Sequence, residues 1–163
     1  MSSTNRGQNR VGNDLYPTPA APIDALLGVM DIPQGAVFHE PCRGLGNIYD
    51  RVACREKSYC EIGEGKDYLS HIALWPYNLI ITNPPYVNSN SMSKLPKEYL
   101  HEPQIALAGG DDGMDLVRKI VAGAASRLKP NGILMVEIGN ERVFADEAFA
   151  EYGLTWLSTS AGD

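Results

Sequence analysis

No stretch of the 163 residues approaches the roughly 20 consecutive apolar residues needed to cross a bilayer. The polar opening MSSTNRGQNRVGND leads into no apolar segment of signal-peptide length, so the chain reads as soluble and cytoplasmic, with no membrane partner. Cysteine is scarce. Cys42, Cys54 and Cys60 are odd in number and lack paired metal-ligand spacing, which fits a reduced compartment and leads us to expect no bound metal. Basic residues are outnumbered, 14 Lys and Arg against 20 Asp and Glu, for a net charge of -6. That balance argues against an extended basic surface able to grip nucleic acid unaided, although a local positive patch stays open. Internal repeats, a GxGxxG loop and the GKS or GKT ending of a phosphate-binding loop are all missing.

What is present fits one α/β domain over residues 15–163, preceded by a flexible polar tail at 1–14. A chain of this length buries about 68–70% of its unfolded surface, enough for a full core. Ile23, Leu26, Leu27 and Met30 recur at helical spacing within 19–30, and Pro22 suits an early turn. Residues 32–35 read as a turn and 36–39 as a short strand. A glycine-bearing loop, Pro41-Cys42-Arg43-Gly44-Leu45-Gly46, then enters a helical stretch at 47–53. Strand, glycine loop and helix in that order open a nucleotide-binding α/β unit. Further strands are expected at 58–62 and 77–82, with the stretch between them too short for the usual helix, strand and helix. The run YNLIIT at 77–82 suits a parallel strand covered on both faces. Residues 87–111 read as loop, 112–129 as a helix with acids at its start and bases at its end, and 129–132 as a turn. A buried strand at 133–138, a weak helix at 144–152 and a last strand at 154–158 complete the pattern.

Two groups of residues carry chemistry. Glu40, at a strand end, is placed to accept hydrogen bonds from a ribose or an ammonium group, while Gly44 and Gly46 let a ligand approach the backbone. Glu61 is placed to take a pair of ribose hydroxyls, and Asp67 an adenine amino group. The competing readings are an ordinary turn and solvated surface acids. The second group, Asn83-Pro84-Pro85-Tyr86, is sharper because two prolines stop an apolar strand at the ligand-binding end of the sheet. An amide or aniline-like NH2 is a poor nucleophile, its lone pair being delocalised. The Asn83 side-chain oxygen and the Pro84 carbonyl supply two acceptors for its hydrogens, and Tyr86 supplies a face for a planar target. The alternative is a Pro-rich turn with Tyr86 as ordinary packing.

This NPPY loop resembles the catalytic motif of the amino-methyltransferases, a group that includes DNA adenine-N6 and protein glutamine-N5 enzymes. The resemblance implies a compact, abbreviated Rossmann-like fold using S-adenosyl-L-methionine, whose sulfonium is electrophilic enough to need no metal. It assigns the target-holding roles to Asn83, Pro84 and Tyr86, and cofactor contacts to Glu40, Gly44, Gly46, Glu61 and Asp67. DLYPTP at 14–19, FHEPCRGLGNIYD at 38–50 and EIGEGKDYLS at 61–70 are similar to phage adenine methyltransferases. In such DNA enzymes a Thr-Pro borders the cofactor, which points here to Thr18. From Asn83 onward, LPKEYLHEP, ALAGGDDGMDLVRKI and LKPNGILMVEIGN look like the glutamine methyltransferases of ribosomal protein and release factors. By that likeness, His101, Glu102, Pro103 and residues 109–113 shape the substrate side.

The expected partner is therefore a ribosomal protein or peptide release factor, with DNA and a nucleic-acid-binding role as the runner-up. A non-enzymatic remnant or scaffold is the third reading. The helical recognition domain usual in the glutamine enzymes is not seen, and the chain stops where a final antiparallel strand is expected. The sheet is accordingly expected to lack that strand and to expose an edge open to self-association. Glu137 is a candidate for ordering the catalytic loop or for a backbone hydrogen bond, and His101 for ordinary loop bonding. Trp75 and Trp156 are expected in the core. Arg43, Arg51, Arg55 and Lys57 form either a phosphate-contacting cluster or a solvated face.

Overall fold

The run of six residues YNLIIT does become the inner strand of a sheet. The computed structural model describes residues 17–93 and 106–157. In chain order it forms α1 (Ala20–Val29), β1 (Val37–Glu40), α2 (Asn47–Arg51), β2 (Glu56–Tyr59), β3 (Tyr77–Thr82), α3 (Ser89–Met92), α4 (Asp115–Arg127), β4 (Leu128–Val136) and α5 (Arg142–Ala148). Four parallel strands lie in the order β2-β1-β3-β4, the Rossmann-like arrangement expected.

Both faces of β3 are covered, which is why its sequence is apolar without alternation. Leu79 and Ile81 pack with Phe38 of β1 against Ile23 of α1 and Ile48 of α2. Ile80, between them, meets Ala124 of α4 on the opposite side. Met114, Val117, Ile138, Ala145 and Phe149 form a separate cluster joining α4 to α5. Among the described residues, no helix is long and apolar enough to cross a membrane.

Four expectations need correction. The stretch 87–111, expected as loop, holds the short helix α3, whose start is capped by the Asn88 side chain accepting from Ser91 N–H at 2.8 Å. The second strand covers Glu56–Tyr59, two residues earlier than expected at its start, so Glu61 lies beyond it and pairs with Lys66 in an isolated antiparallel bridge. Its sequence, EKSY, is polar because Lys57 turns its ammonium to the Tyr49 and Val52 carbonyls, at 2.8 and 3.3 Å, at the end of α2. The turn at 129–132 exists, but as a bulge inside β4: Tyr77 pairs with Leu128, and Leu79 next pairs with Ile133. Asn131 makes this excursion with φ 62°, a left-handed conformation that asparagine tolerates. Residues 154–157 form no strand. There Trp156 instead donates to Asp146 at 3.0 Å and lies 4.7 Å beneath the Arg142 guanidinium. Ser158 and the tail at 1–14 fall outside the described residues.

The order of the strands positions the site. The chain leaves β1 toward β2 on one side and leaves β3 toward β4 on the other. The loops following β1 and β3 therefore diverge, opening a crevice above the carboxyl ends of adjacent strands, where ligands bind in open α/β sheets.

Candidate functional site

That crevice is a cavity of about 580 Å³, within the roughly 300–1,000 Å³ typical of small-molecule sites. Thr18, Gly44, Glu61, Asp67, Asn83, Pro84 and Tyr86 all line it. Residues from four separate stretches of sequence thus converge on one space, including both groups singled out above.

Each wall has a local cause. Gly44 adopts φ 53°, nothing lies within 4 Å of where a Cβ would stand, and its N–H donates to Glu61 Oε2 at 2.7 Å. Glu61 Oε1 accepts from Gly63 N–H at 3.0 Å, capping the 3-10 turn Ile62–Glu64. One carboxylate therefore ties the loop after β1 to the turn after β2. Asp67 accepts from Leu69 N–H at 2.9 Å in a local turn and is otherwise exposed. Cys42 also lines the cavity, but burial pushes its thiol up to about 12, so it is a neutral wall and not a nucleophile.

Two of the expected cofactor residues stand behind the wall. Glu40 is 1% exposed, does not line the cavity, and its Oε2 has no hydrogen-bond partner. Burial raises its carboxyl to about 8, a hydrogen bond at Tyr49 and the charge of Arg43 opposing the shift. Gly46 does not line the cavity either. With φ 88° it caps the start of α2, and a Cβ there would stand 3.1 Å from Arg43 Nη2.

On the other side, Asn83 Nδ2 donates to Thr18 Oγ1 at 3.1 Å, joining residues far apart in sequence. The Thr18 carbonyl in turn accepts from Asn47 Nδ2 at 2.7 Å. Asn47 lines the cavity and was missed from sequence, since a helix-start asparagine reads as routine capping. Beyond Tyr86 the loop is pinned by backbone. Val87 N–H donates to the Leu107 carbonyl and Gly109 N–H to the Val87 carbonyl, both at 2.9 Å. A Cβ on Gly109 would stand 2.7 Å from Tyr86 Cα, and one on Gly113 2.2 Å from the Tyr86 carbonyl oxygen. Residues 109–113 therefore pack directly on the backbone of the Asn83–Tyr86 loop. Asn88, buried, donates to both Glu141 carboxylate oxygens at 2.9 Å and accepts from Ser91 N–H at 2.8 Å. Sequence gave no signal for this pair, whose members are far apart along the chain. His101, Glu102 and Pro103 lie outside the described residues.

The remaining candidates resolve by their partners. Arg43 lies 4.4 Å from the Tyr59 ring centroid and pairs with Glu64 at 3.3 Å. Arg51 pairs with Asp24 at 3.0 Å, and Arg55 approaches Glu56 at 3.9 Å. With Lys57 turned to backbone carbonyls, this cluster is a structural and solvated face, not a track for phosphates. Trp75 is 47% exposed, against the expectation of core packing, whereas Trp156 does pack against the α4–α5 cluster.

His39, Cys60 and His71 bring one potential ligand atom each within 4.8 Å of one another. The two imidazoles stack with centroids 4.9 Å apart and planes 10° from parallel, so their in-plane lone pairs do not converge on one ion. His39 also meets Ser58 Oγ at 2.8 Å, and burial holds its pKa down to about 3. His39 and the half-buried His71 thus form a stacked pair, with the Cys60 thiol, which burial pushes up to about 11, 3.6 Å from His39 Nε2.

Fold and cavity together define a Rossmann-like α/β sheet with a crevice of small-molecule size at the carboxyl ends of its strands. No protein-family model matches the chain. Curated relatives do match. A Burkholderia pseudomallei protein named ribosomal protein uL3 glutamine methyltransferase is 59% identical over 87 residues, which is 53% of this chain and 28% of that protein. The Neisseria gonorrhoeae protein of the same name is 52% identical over 87 residues, 53% of this chain and 29% of that protein. The namesake from Bradyrhizobium diazoefficiens is 40% identical over 147 residues, 88% of this chain and 41% of that protein. The chain thus spans less than half the length of these relatives. That last alignment runs well into the N-terminal half of the chain, where the expected likeness to phage adenine enzymes is not shown.

Proposed function

We propose that this chain transfers a methyl group from S-adenosyl-L-methionine to the side-chain amide nitrogen of a glutamine in a ribosomal protein, with uL3 as the substrate named by its relatives. The observation that carries this reading is the convergence of Asn83, Pro84 and Tyr86 with Thr18, Gly44, Glu61 and Asp67 on one cavity at the strand-order switch.

The residues fit a nucleoside bearing an amino-acid tail. Glu61 and Asp67 carry acceptors for hydroxyl and amino groups, and Gly44 leaves open space at the wall. When bound, the sulfonium group supplies an electrophilic methyl. The chain's own work is to hold the nucleophile. Asn83, its nitrogen occupied by Thr18, turns its amide oxygen to one N–H of the target carboxamide. The Pro84 carbonyl takes the other, which favours the positive charge that grows on nitrogen. Two prolines keep these acceptors from reorganising, and Tyr86 holds the carboxamide plane in line. A ribosomal-protein substrate supports a cytoplasmic reaction as part of this reading.

Nucleic acid is not the better target here, because the net charge is -6 and the local cations already have protein partners. The test is methyl transfer from radiolabelled S-adenosylmethionine into unmethylated uL3 and unmethylated DNA in parallel, with Asn83→Ala as control. Label in uL3 that disappears in the variant is expected. Label in DNA alone, or equal label with and without Asn83, would overturn the proposal.

A further inference from the structure

Tyr86 is gripped by neighbours for which the chemistry above has no use. Glu137 follows β4, and its N–H donates to the Thr82 carbonyl at 3.0 Å, which places it opposite the end of β3 where the catalytic loop begins. Its Oε1 accepts from the Tyr86 hydroxyl at 3.3 Å and from Gly139 N–H at 3.1 Å. Gly139 has φ 52°, and a Cβ there would stand 2.8 Å from Tyr86 Cε2 and 2.9 Å from its hydroxyl oxygen. The edge of the ring therefore rests on bare backbone, while the hydroxyl is tied to a carboxylate that the same backbone segment orients. At 3.3 Å the hydroxyl bond is long for one made to a carboxylate, and the Gly139 backbone packs against the same edge of the ring.

We propose that Glu137 and Gly139 act as a positioning brace for Tyr86, setting the ring face against the planar carboxamide that enters the cavity and so contributing to substrate selection. Glu137 acts through Tyr86 and touches no reacting atom. The inference rests on the glutamine-methylating reading for its substrate, but the brace itself is a physical arrangement that can be tested without turnover.

Desolvation raises the Glu137 carboxyl above its ordinary range, and the bonds from Gly139 and Tyr86 oppose that shift. The residue nevertheless keeps an exposed face, so substitution there is not expected to unfold the chain. Glutamine at 137 retains an oxygen able to accept from both donors, whereas alanine accepts from neither.

The experiment uses the full chain labelled with 3-fluorotyrosine, the Tyr86 fluorine resonance being assigned by its loss in Tyr86→Phe, alongside transfer kinetics with uL3. Glu137→Ala is expected to shift and narrow the Tyr86 resonance, and Gly139→Ala to shift it by displacing the ring. Glu137→Gln should restore it. In turnover, Glu137→Ala should raise KM for uL3 about tenfold, with KM for S-adenosylmethionine unchanged. Adding it to Tyr86→Phe should cost little more than either change alone.

An unmoved resonance in Glu137→Ala, a KM for uL3 that stays at the wild-type value, or additive losses would each overturn the brace. Wild-type protein that labels no uL3 would instead sink the substrate reading, and the fluorine measurement would still decide whether the brace exists.

Discussion

Glu40 offers a test in which the sign and the size both come from its surroundings. It is 1% exposed, one carboxylate oxygen has no partner, and burial raises its pKa from 4.5 to about 8. A carboxyl raised on folding binds its proton more tightly in the native state than in the unfolded chain. Its contribution to stability is therefore whole below pH 4.5 and is lost progressively as the pH climbs through 8. At about 1.4 kcal/mol per pH unit, the full loss approaches ~5 kcal/mol, with about 3 kcal/mol gone by pH 7. Against a typical total stability of about 5–15 kcal/mol that is a large fraction. Glu40→Gln keeps the shape and removes the titration. The assay is urea unfolding of both proteins at pH 5, 7 and 9 without ligand. The variant should gain on the wild type steadily as pH rises. Taking the difference between the two proteins cancels the histidines, whose effect has the opposite sign. A difference that stays flat within ~1 kcal/mol from pH 5 to 9 would refute the reasoning, because it would mean that Glu40 titrates as it does in the unfolded chain.

His39 runs the other way: its pKa is held down to about 3, so stability should fall as pH drops from 6.5 toward 3, by up to ~5 kcal/mol. Urea unfolding at pH 7 and 4 should show a flatter dependence in His39→Phe, and equal slopes would count against this assignment. Gly113→Ala places a Cβ 2.2 Å from the Tyr86 carbonyl oxygen and should cost about 3 kcal/mol or more. Gly65→Ala, with φ 74° and nothing within 4 Å, should cost only about 1–2 kcal/mol in thermal unfolding. Asn88→Ala removes two bonds to Glu141 and one to Ser91, and should destabilise by about 2–3 kcal/mol. A double-mutant cycle with Glu141→Ala should be strongly non-additive.

Strands covered on both faces were readable because their residues have no other use. Tyr77–Thr82 appears where the apolar run predicts it. The polar strand Glu56–Tyr59 was read two residues late because Lys57 satisfies its charge on the end of α2, a contact that no local pattern reveals. Trp75 was misplaced for the converse reason, since aromatic size predicts burial only where a neighbouring element covers it. In the site, Asn83, Pro84 and Tyr86 were legible as a motif and do face the cavity, together with Thr18, Gly44, Glu61 and Asp67. What stayed hidden were the long-range ties: Asn47 to Thr18, Asn88 to Glu141, and the bare backbone at Gly109 and Gly113 against Tyr86. Such contacts join residues whose separation in sequence carries no information about their distance in space.

The carboxylate of Glu61 keeps acceptor capacity beyond the bonds it makes. Each of its oxygens already accepts one backbone N–H, from Gly44 and from Gly63, yet each oxygen has a second lone pair. A hydroxyl donor arriving there adds a bond without displacing one. The two loops it touches are already locked together, so the ordering of this wall belongs to folding and not to ligand capture. Association at this end of the cavity should then resemble a key entering a finished lock, with little backbone movement. Removing the Glu61 carboxylate would loosen both loops at once and weaken binding through disorder as well as through the lost contact.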